Sequence, residues 1–159
     1  TLRELHGDDA HLHFVGTDGP PGYRKIVETI VTHAGMRDHV TFHGSVSQEE
    51  LVAHYVSADV FCCLSDHEGF CVPVIEAMHH GLPVVAFDCT AVGETVGNGG
   101  LLLKDKNPLV VACALHRVSS DSGLAQRLRT AGRQRAKYFD RGITQDHFGE
   151  YLSTLLGSL

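Results

Sequence analysis

The sequence predicts an α/β fold built on a doubly wound parallel sheet. Three observations lead there. Short apolar runs recur at 11–15, 40–43, 59–64, 83–87 and 101–103, each the length of a strand rather than a helix. Most of the gaps between them hold segments with helical spacing, and glycine or proline stands at the junctions. Strand–helix units repeated in this way join parallel strands by crossovers and lay helices on both faces of the sheet.

Each element has its own signal. Residues 1–5 read as the tail of a helix. The strand at 11–15 ends at Gly16, which opens a glycine- and proline-rich turn through Gly22. That turn lacks the G-x-G-x-x-G spacing of a dinucleotide loop, so taken alone it is a turn. Residues 23–34 form a helix with an apolar stripe at Ile26, Val27, Ile30 and Val31, stopped by Gly35. After the second strand, Ser47 and Glu50 have the spacing of a capping box for a helix over 48–57. The third strand runs into 65–81, where Pro73 suits a first helical turn and Gly81 with Pro83 stops the helix. Residues 91–100 read as a flexible loop. Beyond Pro108 the period is helical, with helices over 109–118, 124–138 and 144–156. Arg127, Arg129, Arg133, Arg135 and Lys137 read as a solvated basic face.

Composition bounds the function. The 159 residues are 43% hydrophobic and 20% charged, with a formal net charge of −6. This suits one globular domain and argues against a nucleic-acid surface. No apolar run nears the ~20 residues needed to cross a bilayer. There is neither a signal peptide nor an initiator Met, and the chain reads as a fragment that starts mid-stream. Five cysteines without a C-x-x-C pair read as buried, reduced thiols of a cytoplasmic protein. Twelve histidines raise the question of a metal. His79 and His80 are adjacent on a helix and point apart, and His11 and His13 have no Cys or carboxylate partner nearby in sequence, so the expectation is no metal site.

The chemistry concentrates in Ser65 to Gly81. Amides following Gly69, Phe70 and Cys71 start a helix, whose positive dipole end seats an anion such as phosphate. Gly69 lets a ligand approach the backbone. Glu68 lies in the loop and Glu76 about one turn into the helix. A carboxylate can accept from two hydroxyls at once, as a ribose or hexose diol requires. A phosphate seat flanked by two such carboxylates fits a sugar nucleotide. In a parallel sheet, ligands bind beyond the carboxyl ends of the strands. Gly16, Gly44, Glu68 and the helix start at Pro73 are therefore expected to converge on one cleft.

The blocks HLHFVGTDGP, VTFHGSVSQEELVAHYVSADVFCCLS, EGFCVPVIEAMHHGLPVVAF and AVGETVGNGGLLL resemble, in order and spacing, the retaining glycosyltransferases of family 4, also called group 1, which have the GT-B fold. The similarity is close over residues 10–103 and looser in the tail. It implies a Rossmann-like C-terminal domain that binds the donor nucleotide. Residues 1–159 would be that single domain, with a core over 10–106 and a helical tail over 107–159, and with the N-terminal acceptor domain absent.

The resemblance also implies roles. Glu68 would serve catalysis by contacting hydroxyls of the transferred hexose. Glu76 would hold the ribose, and Gly16, Gly44, Ser45, Val46 and Val72 would complete the nucleotide site. Backbone amides at Gly69, Phe70 and Cys71 would face the sugar and diphosphate, and many members have Gly at the position of Cys71. Transfer would retain anomeric configuration without metal or other cofactor. The donor would be a GDP-sugar or UDP-sugar, with GDP-mannose favoured by the similarity of HEGFCVP to bacterial mannosyl and polysaccharide transferases. The acceptor would be a glycan or lipid-linked sugar in polysaccharide biosynthesis. The partners would be the donor and the missing N-terminal domain, with no nucleic acid and with membrane association only peripheral, through the full-length protein.

Two departures stand out. Members begin this domain with a further strand and helix, carrying an Arg and a Lys that grip the diphosphate. No such segment precedes His11, and the missing strand would be central in a Rossmann-like order. The 159 residues alone are therefore expected not to turn over. Gly93 also stands where members more often have Pro, and Glu94 beside it reads as a surface acid or a helper near the sugar and phosphate. Other readings stay open at this point: a non-catalytic sugar-nucleotide module, a GT-B nucleotide-sugar epimerase relative, or a Rossmann-like interaction domain without ligand. A glycosidase pair fits poorly. Eight helical positions span ~12 Å, whereas such carboxyls lie ~5 Å or ~6.5–9.5 Å apart.

Overall fold

The computed structural model describes Leu2 and residues 10–157. Of the helix tail expected at 1–5, only Leu2 is among the described residues, and it is helical. The contacts gather into two compact units, 1–54 and 55–159.

In the first unit, strand β1 (Leu12–Val15) pairs in parallel with β2 (Val40–Gly44). Helix α1 (Tyr23–His33) lies between them in sequence, and a single 3-10 turn (Arg37–His39) leads into β2. The stop at Gly35 is a local hydrogen-bond motif. Gly35 takes φ +65, its N–H donates to Thr32 O, and the Met36 N–H donates to Val31 O. Alternation along the strands puts Phe14 and Phe42 on one face, where their rings stack 5.0 Å apart. The predicted stripe of α1 is only half covered: Val27 and Val31 are half-buried, while Ile26 and Ile30 are each 61% exposed. No described residue of 1–54 is fully buried.

Helix α2 (Gln48–Ser57) starts with the expected capping box. The Ser47 N–H donates to Glu50 Oε2 at 2.8 Å and the Glu50 N–H to Ser47 Oγ at 3.2 Å.

The second unit is built on β3 (Phe61–Cys63), β4 (Val84–Phe87) and β5 (Leu101–Leu103), in that order and all parallel. Val84, Val85 and Ala86 are wholly buried, as a strand covered on both faces must be. On one face Val85 and Leu103 meet Val111 and Val118 of α5 (Pro108–Ser120), with Leu124 and Leu128 of α6 (Ser122–Lys137) beside them. On the other face Cys63 meets Cys71, and Phe61 meets Tyr55. Helix α3 (Val72–His79) buries Val74, Ala77 and Met78 completely. It ends at Gly81, with N–H donation from Gly81 to Met78 O and from Leu82 to Ala77 O.

Helix α6 packs closely on α3 because Gly132 and Gly99 leave room for Met78. Asn107 and Asp121 cap α5 and α6 by accepting from the Leu109 and Leu124 amides. The last helix, α7 (Arg141–Leu156), has no buried residue.

One expectation is corrected here. Residues 91–100 are not a loop throughout, since Val92–Val96 forms a short helix, α4, with Val92, Thr95 and Val96 buried. The i, i+4 valine pair supplies a core contact that outweighs the glycines around it. Among the described residues the parallel strands form two ladders, β1–β2 and β3–β4–β5. Among the described residues, no helix is long and apolar enough to cross a membrane.

Candidate functional site

The predicted site residues gather in two groups, one in each unit. In the first unit, Gly16 and Gly44 leave the paired strand ends together, and the Gly16 N–H donates to Gly44 O at 2.9 Å. Gly16 takes φ +134 and Gly44 φ +68, backbone regions that a side chain would strain. The pairing register shifts at this point, so that Val15 lies opposite Gly44. Ser45 is exposed and Val46 half-buried in the turn before Ser47. Beside Gly16 and Gly44 lies a cavity of about 140 Å³ walled by Phe14, Tyr23, Val27 and Phe42. Small-molecule pockets usually run ~300–1,000 Å³, so this cavity takes at most part of a ligand. Arg24 at its wall is already engaged, bonded to Asp18 and Glu28 and lying over the Phe42 ring.

In the second unit, the chain leaving β3 carries Glu68 to Cys71. The Glu68 amide donates to Thr90 Oγ1 at 3.0 Å, and that hydroxyl donates back to Glu68 O at 2.7 Å. Thr90 thus holds the loop from the far side of β4, in a left-handed conformation of its own (φ +38). A Glu68 carboxylate oxygen lies within 4.8 Å of the Cys63 and Cys71 sulfurs.

Cys71 itself takes φ +65 at the start of α3. Left-handed backbone favours glycine, so a side chain at this position is strained. Val72 beside it is exposed at the helix start, where the free amides of α3 point out of the fold. Phe70 is 42% exposed and packs edge-on against Phe139 at 5.2 Å.

Glu76 lies one turn along α3 and is half-buried. The Tyr55 hydroxyl donates to its Oε2 at 2.9 Å. Burial first, and then this hydrogen bond to the carboxylate, push the Tyr55 phenol above its usual range, so the phenol stays a donor. The arrangement fixes one oxygen of Glu76.

Two of the thiols are held protonated. Burial, then Cys63 and Glu68, push Cys71 up to about 12, and burial pushes Cys62 up to about 11. All five cysteines are free, and Cys113 is the exposed one.

Several residues at this edge escape a sequence reading. Tyr55 and Thr90 stand 21 and 22 residues from the groups they hold. Lys104 and Lys106, just past β5, bond Asp88 and Asp66 beyond β4 and β3. Parallel pairing brings these ends together, and nothing local in the sequence announces it. Arg135 is no solvated residue either: its Nε donates to Thr95 O at 3.1 Å and its Nη2 to Glu94 O at 2.6 Å. Its guanidinium also lies over the Tyr138 and Phe139 rings. The Glu94 side chain is exposed.

Set against known proteins, residues 1–135 match the family model for glycosyl transferases group 1. The chain belongs to this family. It is 36% identical over 112 residues to an MMP alpha-(1->4)-mannosyltransferase of Mycolicibacterium hassiacum, a match covering 69% of this chain and 27% of that protein. It is 35% identical over 136 residues to a GDP-mannose-dependent alpha-(1-6)-phosphatidylinositol monomannoside mannosyltransferase of Mycobacterium tuberculosis, covering 80% of this chain and 34% of that one. Among solved structures, sucrose-phosphate synthase of Thermosynechococcus elongatus superposes with a TM-score of 0.80 at 27% identity. That superposition covers 98% of this chain and 41% of the other. The chain therefore spans about a third, or less, of the curated relatives it matches. Its fold is the Rossmann-like C-terminal half of GT-B glycosyltransferases.

Proposed function

We propose that this chain is the donor-binding half of a retaining glycosyltransferase, which moves a hexose from a nucleoside-diphosphate sugar to a glycan or lipid-linked acceptor. The observation that carries this is the pair of oriented carboxylates flanking the open start of α3. Glu76 is fixed by Tyr55 at 2.9 Å, and the Glu68 backbone is held by Thr90 on both its N–H and C=O.

In this reading Glu76 accepts from the ribose hydroxyls and Glu68 from hydroxyls of the hexose. The amides around Gly69, Phe70, Cys71 and Val72 stabilise the leaving diphosphate through the helix dipole. Gly16, Gly44, Ser45 and Val46 serve the nucleoside. Transfer retains configuration by front-face displacement and needs no metal or other cofactor. GDP-mannose is the favoured donor, supported by the relatives named as mannosyltransferases, one of them GDP-mannose-dependent. Free thiols throughout suit the reducing cytoplasm. Transfer also needs an acceptor surface facing the donor, and we place that surface outside these 159 residues.

Calorimetric titration with GDP, UDP, GDP-mannose and UDP-glucose tests the reading. Saturable binding of one nucleotide class, abolished by Glu76→Ala in a variant that still folds, is the expected result. Equal affinity in the wild type and Glu76→Ala would overturn it.

A further inference from the structure

Strand alternation puts His11 and His13 on the face of β1 opposite Phe14. The parallel register, with His13 opposite Thr41, sets His43 on the same face of β2. Helix α2 brings His54 over that face. His13 Nδ1 lies 2.9 Å from His43 Nε2. The His43 and His54 ring centroids are 4.3 Å apart, and those of His13 and His54 are 5.9 Å apart. One ring nitrogen from each of the three lies within 4.8 Å of the others.

We infer that His13, His43 and His54 form a binding site for a divalent transition-metal ion of the zinc class. Zinc takes imidazole nitrogens at about 2.0–2.1 Å in tetrahedral array, which sets them about 3.3 Å from one another. The present spacing, within 4.8 Å, lies close to that value. The three ligands come from three separate elements, so packing rather than a flexible loop sets their positions. An all-imidazole set selects zinc, copper(II) or nickel and rejects magnesium and calcium, which require oxygen. His13 is exposed, so the fourth position is open to water.

The surroundings suit an ion. His13 and His43 share one hydrogen bond, in which one ring donates and the other accepts. A metal displaces that proton and uses both lone pairs. A carboxylate stands close by. Glu50 is one turn before His54 on α2, and its carboxylate accepts from the Ser47 amide. Such outer carboxylates recur beside metal-bound histidines. The unit also has a use for a tie between its sheet and helix. None of its described residues is fully buried, and Leu12 and Phe14 are 47% and 43% exposed. An ion that binds only the folded form stabilises it by linkage. The transfer proposed above remains metal-independent, and this ion is structural.

The test is titration of the chelator-stripped 159-residue chain with Zn²⁺, followed by calorimetry, with Co²⁺ absorption reporting the ligand set. The expected result is one equivalent bound, a tetrahedral Co²⁺ spectrum, and a rise in Tm with Zn²⁺ that Mg²⁺ does not give. His13→Gln and His54→Gln should each weaken Zn²⁺ at least as much as losing an outer partner does, roughly 10–100-fold. His33→Gln and His147→Gln, outside the cluster, should leave affinity unchanged. Circular dichroism confirms that each variant folds, and exposed His13 carries the test should His54→Gln unfold. No saturable binding, or wild-type affinity in His13→Gln, would overturn the inference.

Discussion

Tyr55→Phe separates binding from scaffolding at the centre of the proposed site. The change removes one O–H donor to Glu76 and leaves the ring, which is only 8% exposed, in its place against Phe61 and His80. Hydrogen bonds to charged groups contribute about 1.5–3 kcal/mol. Glu76 is half-buried, so water recovers part of the loss and the lower end applies. In a chain of this size each kcal/mol moves Tm by about 2–4 °C, so Tm should fall by roughly 3–6 °C. A Glu76 carboxylate released from Tyr55 samples other rotamers, and nucleotide affinity should drop about tenfold, equivalent to about 1.4 kcal/mol. Calorimetry with GDP and UDP on the wild type, Tyr55→Phe and Glu76→Ala, together with thermal melts, measures both effects. A Tyr55→Phe protein that melts lower yet binds nucleotide as tightly as wild type would refute the positioning role, provided Glu76→Ala abolishes binding.

Further outcomes follow from the geometry. At position 71 the backbone is left-handed (φ +65), so Cys71→Gly should be more stable than Cys71→Ala by about 1 kcal/mol in urea unfolding. A Cβ on Gly99 would stand 2.6 Å from Met78 Sδ and 2.8 Å from Arg135 Cβ, so Gly99→Ala should cost about 1–3 kcal/mol by the same measurement. The Leu124 amide, and to a lesser degree Arg117, hold the Asp121 carboxyl below its usual 3.8. A depressed carboxyl contributes stability above its unfolded pKa and loses it as pH falls through the folded value. Stability followed from about pH 6 down to about pH 2 should therefore decline more steeply in wild type than in Asp121→Asn, which keeps a capping oxygen without the charge.

The parts of the fold legible in the sequence are those decided within a few residues. The Ser47–Glu50 box and the stops at Gly35 and Gly81 close on neighbours three to five positions away, and each forms as read. The strands are legible because apolar runs of strand length have few other uses. The 91–100 segment misleads because its glycines mask a single valine pair whose worth comes from the core it enters. Ile26 and Ile30 show the reverse: periodicity marks a face without saying that anything covers it. At the site, Glu68 and Glu76 are legible from chemistry and spacing. Tyr55 and Thr90 are not, because only strand order brings them within reach. The histidine cluster is hidden for the same reason. His11 and His13 lack a partner nearby in sequence, and His43 and His54 arrive only through parallel pairing and the return of a helix.

The tie made by Arg135 alters how the C-terminal helices are to be regarded. Its guanidinium grips the carbonyls of Glu94 and Thr95 and lies over Phe139, whose ring abuts Phe70 in the loop ahead of α3. A continuous line of contacts thus runs from the end of α6, through one cation and two rings, to the loop that carries Glu68. Through these contacts the C-terminal helices brace the loop ahead of α3 as well as covering the sheet.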